Sequence, residues 1–177
     1  MTEADPITPP IPAPGLDVYL VFAQQTEARV DIDAWSAHAE RFFATRLGLA
    51  EDMRPPVGSP APRVARARFV VAPGDGTNDG TGDGPGIRQA SARPRDERDL
   101  ALAERADGAG TGLALLARRC PTVWLVTREG DDDRLALRLA TILSSVLLGP
   151  ILDPGRLELF GAKTARGKLE RPRPPTA

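Results

Sequence analysis

The sequence predicts a mixed α/β domain, an α+β sandwich in which one sheet packs against helices. Segments 17–23 and 122–127 are apolar on both faces, which is typical of central strands. Segments 63–71 and 156–160 carry charged residues, and the two arginines on one face of the first, Arg66 and Arg68, indicate an edge strand or a solvated sheet face. With the two apolar strands as the central pair, this order predicts a ferredoxin-like βαββαβ sheet with a helical segment inserted between strands two and three. The alternative is a three-layer, doubly wound parallel sheet, which strict alternation of strands and helices would give.

The clearest pattern lies between residues 121 and 160. The apolar positions of its middle part follow helical spacing: Leu135, Leu139, Ile142, Leu143, Val146 and Leu147. Three aspartates at 131–133 suit the N-terminus of this helix, and Gly149 with Pro150 ends it. The pattern therefore predicts a strand, a buried core helix and a second strand.

Three other segments are predicted to be helical. Residues 34–47 have Trp35 and Phe42 on one face at helical spacing. Residues 97–106 and 111–119 form two shorter pieces separated by glycines. The inserted helical segment of the predicted fold consists of these two pieces.

The composition predicts one domain with appendages. Residues 1–15 are Pro-rich and are expected to be disordered, and 16–162 form the single α/β domain. Within it, the Gly/Asp-rich stretch 73–95 is predicted to be a flexible insert, because it cannot bury apolar surface. Residues 163–177 are predicted to be a basic, Pro-rich tail.

Charge and residue counts exclude several classes of function. The formal net charge is −1, so net charge does not favour nucleic-acid binding. The first residues lack the basic and apolar regions of a signal peptide, and no apolar run is long enough to span a membrane. With Cys120 the only cysteine and His38 the only histidine, no metal centre or catalytic constellation is predicted. We expect a bacterial, cytoplasmic protein without a bound cofactor.

One motif could carry chemistry. Gly108, Gly110 and Gly112 precede a helical segment and a strand, and Glu129 follows that strand. This pattern resembles the glycine-rich loop of the Rossmann-like S-adenosylmethionine methyltransferases. The resemblance implies that the three glycines line the cofactor and that Glu129 binds its ribose hydroxyls. The alternative is a glycine-rich break between two helices.

Two functions follow from these observations. The well-patterned core without an acid/base or metal constellation favours a non-enzymatic interaction or accessory module of a bacterial cytoplasmic multiprotein system, with an unknown protein partner. The alternative is an enzyme that binds a nucleotide cofactor through the Gly108–Gly112 loop.

Overall fold

The computed structural model describes residues 17–53, 65–74, 84–108, 110–130 and 132–171. The predicted disordered tail over 1–15 lies outside the described residues. The strands are β1 (Val18–Ala23), β2 (Thr45–Leu49), β3 (Arg66–Pro73), β4 (Gly86–Pro94), β5 (Thr122–Thr127), β6 (Ile151–Asp153) and β7 (Glu158–Phe160). The helices are α1 (Ile32–Phe43), α2 (Glu97–Ala106), α3 (Leu113–Arg118), α4 (Arg134–Leu147) and α5 (Ala162–Glu170), and Glu51–Met53 form one 3₁₀ turn.

The seven described strands form one sheet in the order β2-β3-β4-β5-β1-β6-β7. Every neighbouring pair is antiparallel. The mixed α/β class is therefore confirmed, whereas the doubly wound parallel sheet agrees poorly with the antiparallel pairing. The two strands that we expected to be central, β1 and β5, are neighbours inside the sheet, from Val18 opposite Thr127 to Ala23 opposite Thr122. The ferredoxin-like order itself stays a prediction.

The structure differs from the predicted flexible insert over 73–95 in its second half, where residues 86–94 form strand β4 between β3 and β5. The strand is polar in sequence, which concealed it. Its charged residues are accommodated because Arg88 and Arg93 are neutralised by carboxylates at the starts of α4 and α2. Residues 75–83 of the insert lie outside the described residues.

Two other segments also differ from the prediction. The predicted tail over 163–177 begins with helix α5, whose Ala165 is buried in the core beside α4. Its last part, 172–177, is outside the described residues. The predicted helix over 34–47 ends at Phe43, and Ala44 turns the chain in a left-handed conformation with φ of 45°. Strand β2 follows, because its alternate residues are buried while those between are more exposed.

The sheet has a different helical layer on each face. Helices α1, α4 and α5 cover one face and build the larger core around these fully buried side chains: Val21, Phe69, Trp124, Leu139, Ile142 and Leu143. Helices α2 and α3 pack on the other face over a smaller core: Leu20, Phe22, Leu100, Ala103, Ala117 and Val123. Because neighbouring strands are antiparallel, the chain places helices on both faces without the crossover connections that a parallel sheet requires. Among the described helices, none is long and apolar enough to cross a membrane.

The ends of helix α4 agree with the sequence pattern. The Asp133 carboxylate accepts a hydrogen bond from the backbone N–H of Ala136 and caps the first turn. At the other end Leu148 adopts a left-handed conformation, and Gly149 follows it. A Cβ atom at Gly149 would lie 1.9 Å from the carbonyl oxygen of Phe22. Glycine is therefore required here by the contact between the end of α4 and strand β1.

Candidate functional site

Half of one sheet face is not covered by any described element. Helices α2 and α3 pack over β5, β1 and β6, but the same face of β2, β3 and β4 is in contact with solvent. We call this the open face and define it by side chains that alternate with buried core residues: Arg46, Gly48, Arg66, Arg68, Val70, Ile87 and Gln89. Strand alternation explains the arrangement, because the residues between them point into the larger core.

The centre of the open face is apolar. Val70 of β3 lies directly opposite Ile87 of β4, and Gly48 of β2 lies on the other side of Val70. Ile87 is 50% exposed, which makes it one of five large apolar side chains that the described part of the chain presents to solvent. Isolated exposed apolar residues are common, but here two β-branched side chains and a glycine are adjacent on one sheet. The result is an accessible apolar strip across three strands.

Arginines border this strip. Arg46, Arg66 and Arg68 are exposed on the same face as Val70. Arg68 forms an ion pair with Asp52 of the 3₁₀ turn, and this hydrogen bond holds the pKa of the Asp52 carboxyl below its ordinary value. Arg46 and Arg66 have no ion-pair partner among the residues that the structure describes. The open face therefore combines an apolar centre with a positively charged border.

The glycine-rich motif lies between two helices. Gly110 and Gly112 have positive φ values of 63° and 84°, so both use the conformational freedom that glycine provides. Asp107 organises the loop, because its carboxylate accepts hydrogen bonds from the backbone and hydroxyl of Thr111 and from the backbone of Ala114. Gly108 lies just after the end of α2. The methyltransferase resemblance requires a strand before the glycines, whereas the structure has helix α2 there.

Glu129 lies beyond the end of β5. Its carboxylate is 3.2 Å from the guanidinium of Arg88, and its backbone N–H donates to Asp133. The side chain is therefore part of the ion-pair group at the start of α4. The structure does not test a cofactor, so binding through the three glycines and Glu129 stays a prediction.

A histidine–serine pair connects α1 to α4. The Nε2 atom of His38 lies 2.8 Å from the Oγ atom of Ser145, and the His38 ring packs 4.7 Å from the Phe42 ring. Sequence spacing could not identify this partner, because 107 positions separate the two residues. No described carboxylate hydrogen-bonds to the His38 ring, so the described residues do not form the three-part relay of a hydrolase. The pair joins two helices.

The single cysteine is not an activated nucleophile. Cys120 is fully buried next to the smaller core, and its Sγ atom donates to the carbonyl oxygen of Leu116. Burial raises the pKa of the Cys120 thiol to about 11, and the charge of Arg95 only partly opposes this effect. The thiol therefore stays protonated at neutral pH.

Three buried or largely buried ion pairs connect distant elements, two between β4 and a helix and one between the ends of β5 and β6, and sequence reasoning did not identify them. They link Arg88 to Asp133, Arg93 to Asp99 and Arg128 to Asp153. The available signal was an arginine within or just after a strand and an aspartate at a helix start or turn. No group of three or more potential metal ligands occurs among the described residues. The three ion pairs therefore connect elements of the fold.

No protein-family model, curated protein or solved structure matches this chain. The geometry alone therefore defines the class of protein. It is a mixed α/β domain whose antiparallel sheet is covered on one face and half covered on the other. The open face is therefore the candidate functional site.

Proposed function

We propose that this chain is a non-enzymatic interaction module that binds an acidic protein partner on its open face. The observation that carries the proposal is the combination of an apolar strip at Val70 and Ile87 with an arginine border on an uncovered half sheet. An apolar centre with a polar rim is the common anatomy of a protein interface. The positive border favours a partner with carboxylates around an apolar contact, and it would increase the rate of association.

The chemistry of the arginines supports a protein partner. Arg46 and Arg66 extend into solvent without an ion-pair partner among the described residues, so they are available to form charge-assisted hydrogen bonds. Arg68 is held in place by Asp52 and is therefore pre-oriented on the face. Ile87 supplies apolar area that is removed from water only when a partner covers it.

Site-specific photo-crosslinking tests the proposal. A photoreactive residue is introduced at Ile87 and, in a matched control, at Leu115 of α3, which is 64% exposed. After irradiation in the native cells, we expect a discrete adduct from position 87 and none from position 115. The adduct identifies the partner, and its cross-linked segment should be rich in aspartate and glutamate.

Charge reversal provides the second arm. Arg66→Glu together with Arg68→Glu should abolish the adduct from position 87, because like charges then oppose each other across the interface. The matched control, Arg118→Glu with Arg119→Glu, changes the same charge on the surface of α3 and should leave the adduct unchanged. Equal adducts from positions 87 and 115 would overturn the proposal. It would also be overturned if the variant with Arg66→Glu and Arg68→Glu still gave the adduct.

A further inference from the structure

Residues 1–16 join the described chain beside the open face. The backbone N–H of Arg128, at the end of β5, donates to the carbonyl oxygen of Asp17, which precedes β1. Continuing the pairing of β4 with β5 by two residues places Arg88 opposite Arg128. Asp17 therefore lies at the same level along the sheet as Arg88, one position from Ile87. The two strand spacings between β1 and β4 amount to about 10 Å.

The path from Asp17 to Ile87 crosses only the end of β5. Val126 faces the larger core, so strand alternation places Thr127 on the other side of the sheet, where it is exposed. Helices α2 and α3 therefore do not cover this end of the strand. Six extended residues span up to about 20 Å, whereas β3 lies three strand spacings, or about 14 Å, from β1. A segment that continues from Asp17 can therefore reach Val70.

Four stretches of more than one residue lie outside the described part of the chain, and their compositions differ. Residues 54–64 and 172–177 contain arginines but no aspartate or glutamate, so like charges would oppose them at the arginine border. Residues 75–83 contain three aspartates but no large apolar side chain, so they cannot cover the apolar strip. Composition therefore leaves residues 1–16 as the stretch whose chemistry matches the whole open face.

Residues 1–16, which we call the N-terminal segment, combine both kinds of group. They include acidic and large apolar side chains without any Lys, Arg or His: Glu3, Asp5, Ile7 and Ile11. Ile11 is six residues from Asp17 and so reaches the apolar strip. Arg66 is four residues from Val70 along β3, or about 13 Å, and Asp5 is far enough beyond Ile11 to reach it.

We propose that the N-terminal segment binds the open face of its own chain and competes there with the acidic partner. Its isoleucines cover the apolar strip, and its carboxylates pair with the bordering arginines. The competition rests on the proposed function, whereas the docking itself needs no partner. Because the segment is tethered, its effective concentration at the face is in the millimolar range. If it covers the face in about nine of ten chains, the apparent affinity of the partner falls about tenfold.

Paramagnetic relaxation measured by NMR tests the docking on the purified full chain. A nitroxide is attached at Ala4→Cys, while the native Cys120 is buried. We expect enhanced relaxation of the methyl signals of Val70 and Ile87 but not of Leu148, which is 62% exposed at the end of α4 on the other face of the sheet. Equal relaxation at Ile87 and Leu148 would overturn the inference. So would an equal enhancement when the nitroxide and the observed methyl groups are on different chains.

Charge reversal tests the carboxylate contacts. Arg66→Glu with Arg68→Glu should reduce the enhancement at Ile87, because the segment then meets like charges. The matched control, Arg118→Glu with Arg119→Glu on α3, should leave the enhancement unchanged. The same loss in both variants would show that the open face is not the specific site.

Substitutions within the segment test the apolar contacts. Ile7→Ser with Ile11→Ser should reduce the enhancement at Ile87, because it removes the side chains that the apolar strip buries. Thr2→Ser with Thr8→Ser is the control and should leave the enhancement unchanged. If the serine variant of the isoleucines keeps the full enhancement, the assignment of the apolar contact is wrong.

The competition is measured in native cells with the photoreactive residue at position 87. Glu3→Lys with Asp5→Lys should increase the yield of the partner adduct, because the bordering arginines then repel the segment. An unchanged yield would overturn the competition. If the relaxation contact is present but no partner adduct forms, the proposed function is wrong and the docking of the segment stands. If the adduct forms without the relaxation contact, only this inference is wrong.

Discussion

Arg93 of β4 and Asp99 of α2 are joined by two parallel hydrogen bonds, 2.6 Å from Nη1 and 2.7 Å from Nη2, and both side chains are buried. The hydrogen bond that Arg93 donates to Asp99 raises the pKa of Arg93, which burial would otherwise lower. Asp99 also accepts from the backbone N–H of Asp96 and so completes the capping box of α2. The Asp99 carboxylate therefore both caps the start of α2 and neutralises the charge of Arg93 on β4.

Removing one partner of the Arg93–Asp99 ion pair should lower the free energy of unfolding far more than removing both partners. Asp99→Leu should lower the free energy of unfolding by about 3–5 kcal/mol, because the buried guanidinium of Arg93 loses both hydrogen bonds to Asp99 and keeps only one carboxylate partner, Asp96, 3.7 Å away. The pair Arg93→Met with Asp99→Leu should be less destabilised than the sum of the single changes. Urea unfolding of the unchanged chain, Arg93→Met, Asp99→Leu and the double variant measures this coupling, and strictly additive losses would show that the pair is not coupled.

Stability should depend on Asp133 at acid pH. Burial alone would raise the pKa of Asp133, but hydrogen bonds from Arg88 and from the backbones of Ala136 and Glu129 outweigh it and lower the pKa. A lowered pKa in the folded state means that the unfolded chain takes up the proton more readily. The stabilisation is therefore complete above about pH 5 and is lost as the pH falls through about 3.9 toward the folded pKa.

The matching variant is Asp133→Asn. At pH 7 it should be less stable than the unchanged protein, because it loses the charge that pairs with Arg88. The difference should become smaller as the pH is lowered below about 4, because the unfolded chain then takes up a proton on this carboxyl more readily than the folded chain does. Urea unfolding at a series of pH values measures the difference, and a constant gap down to pH about 3 would contradict this assignment.

Gly149→Ala should be among the most damaging small substitutions in the chain. The added Cβ would lie 1.9 Å from the carbonyl oxygen of Phe22, so α4 and β1 must separate. We expect a loss of at least about 3 kcal/mol, at the upper end for overpacking. Gly48→Ala in β2 is the control, since a Cβ there has no atom within 4 Å, and it should not lower stability by more than about 0.5 kcal/mol. Thermal unfolding that is equal for both variants would contradict the packing at Gly149.

Calorimetry decides the cofactor alternative. The glycine loop joins two helices, so we expect no heat of binding with S-adenosylmethionine, NAD or ATP at up to about 1 mM. Gly110→Val serves as the control. Gly110 lies in the middle of the loop with a φ of 63°, so a valine side chain there would block the close approach of a bound cofactor. A micromolar signal that this variant abolishes would replace the interaction module with a cofactor-binding enzyme.

Much of the larger core could be predicted from the sequence. Helix α4 has one apolar face, and strands β1 and β5 are apolar on both faces. Such elements are stable when helices pack against the sheet and remove these faces from water. The helix start at Asp133 could also be predicted, because an aspartate there caps free N–H groups whatever the remaining fold.

Strands β2 and β4 and helix α5 could not be predicted in this way. The polar residues of β4 are stabilised by distant carboxylates such as Asp99 and Asp133, and α5 is stabilised by its contact with α4. Their local patterns are weak, because the energy that forms them comes from tertiary contacts.

The open face was indicated only in part by the sequence. The alternation around Arg66 and Arg68 predicted a solvated sheet face or an edge strand, but it could not show that β4 adds Ile87 beside Val70. The sequence by itself determined which residues must leave water, because apolar spacing is a local property. The tertiary structure decided the strand order, the ion pairs and which half of the sheet stays uncovered, because these depend on contacts between residues far apart in the chain.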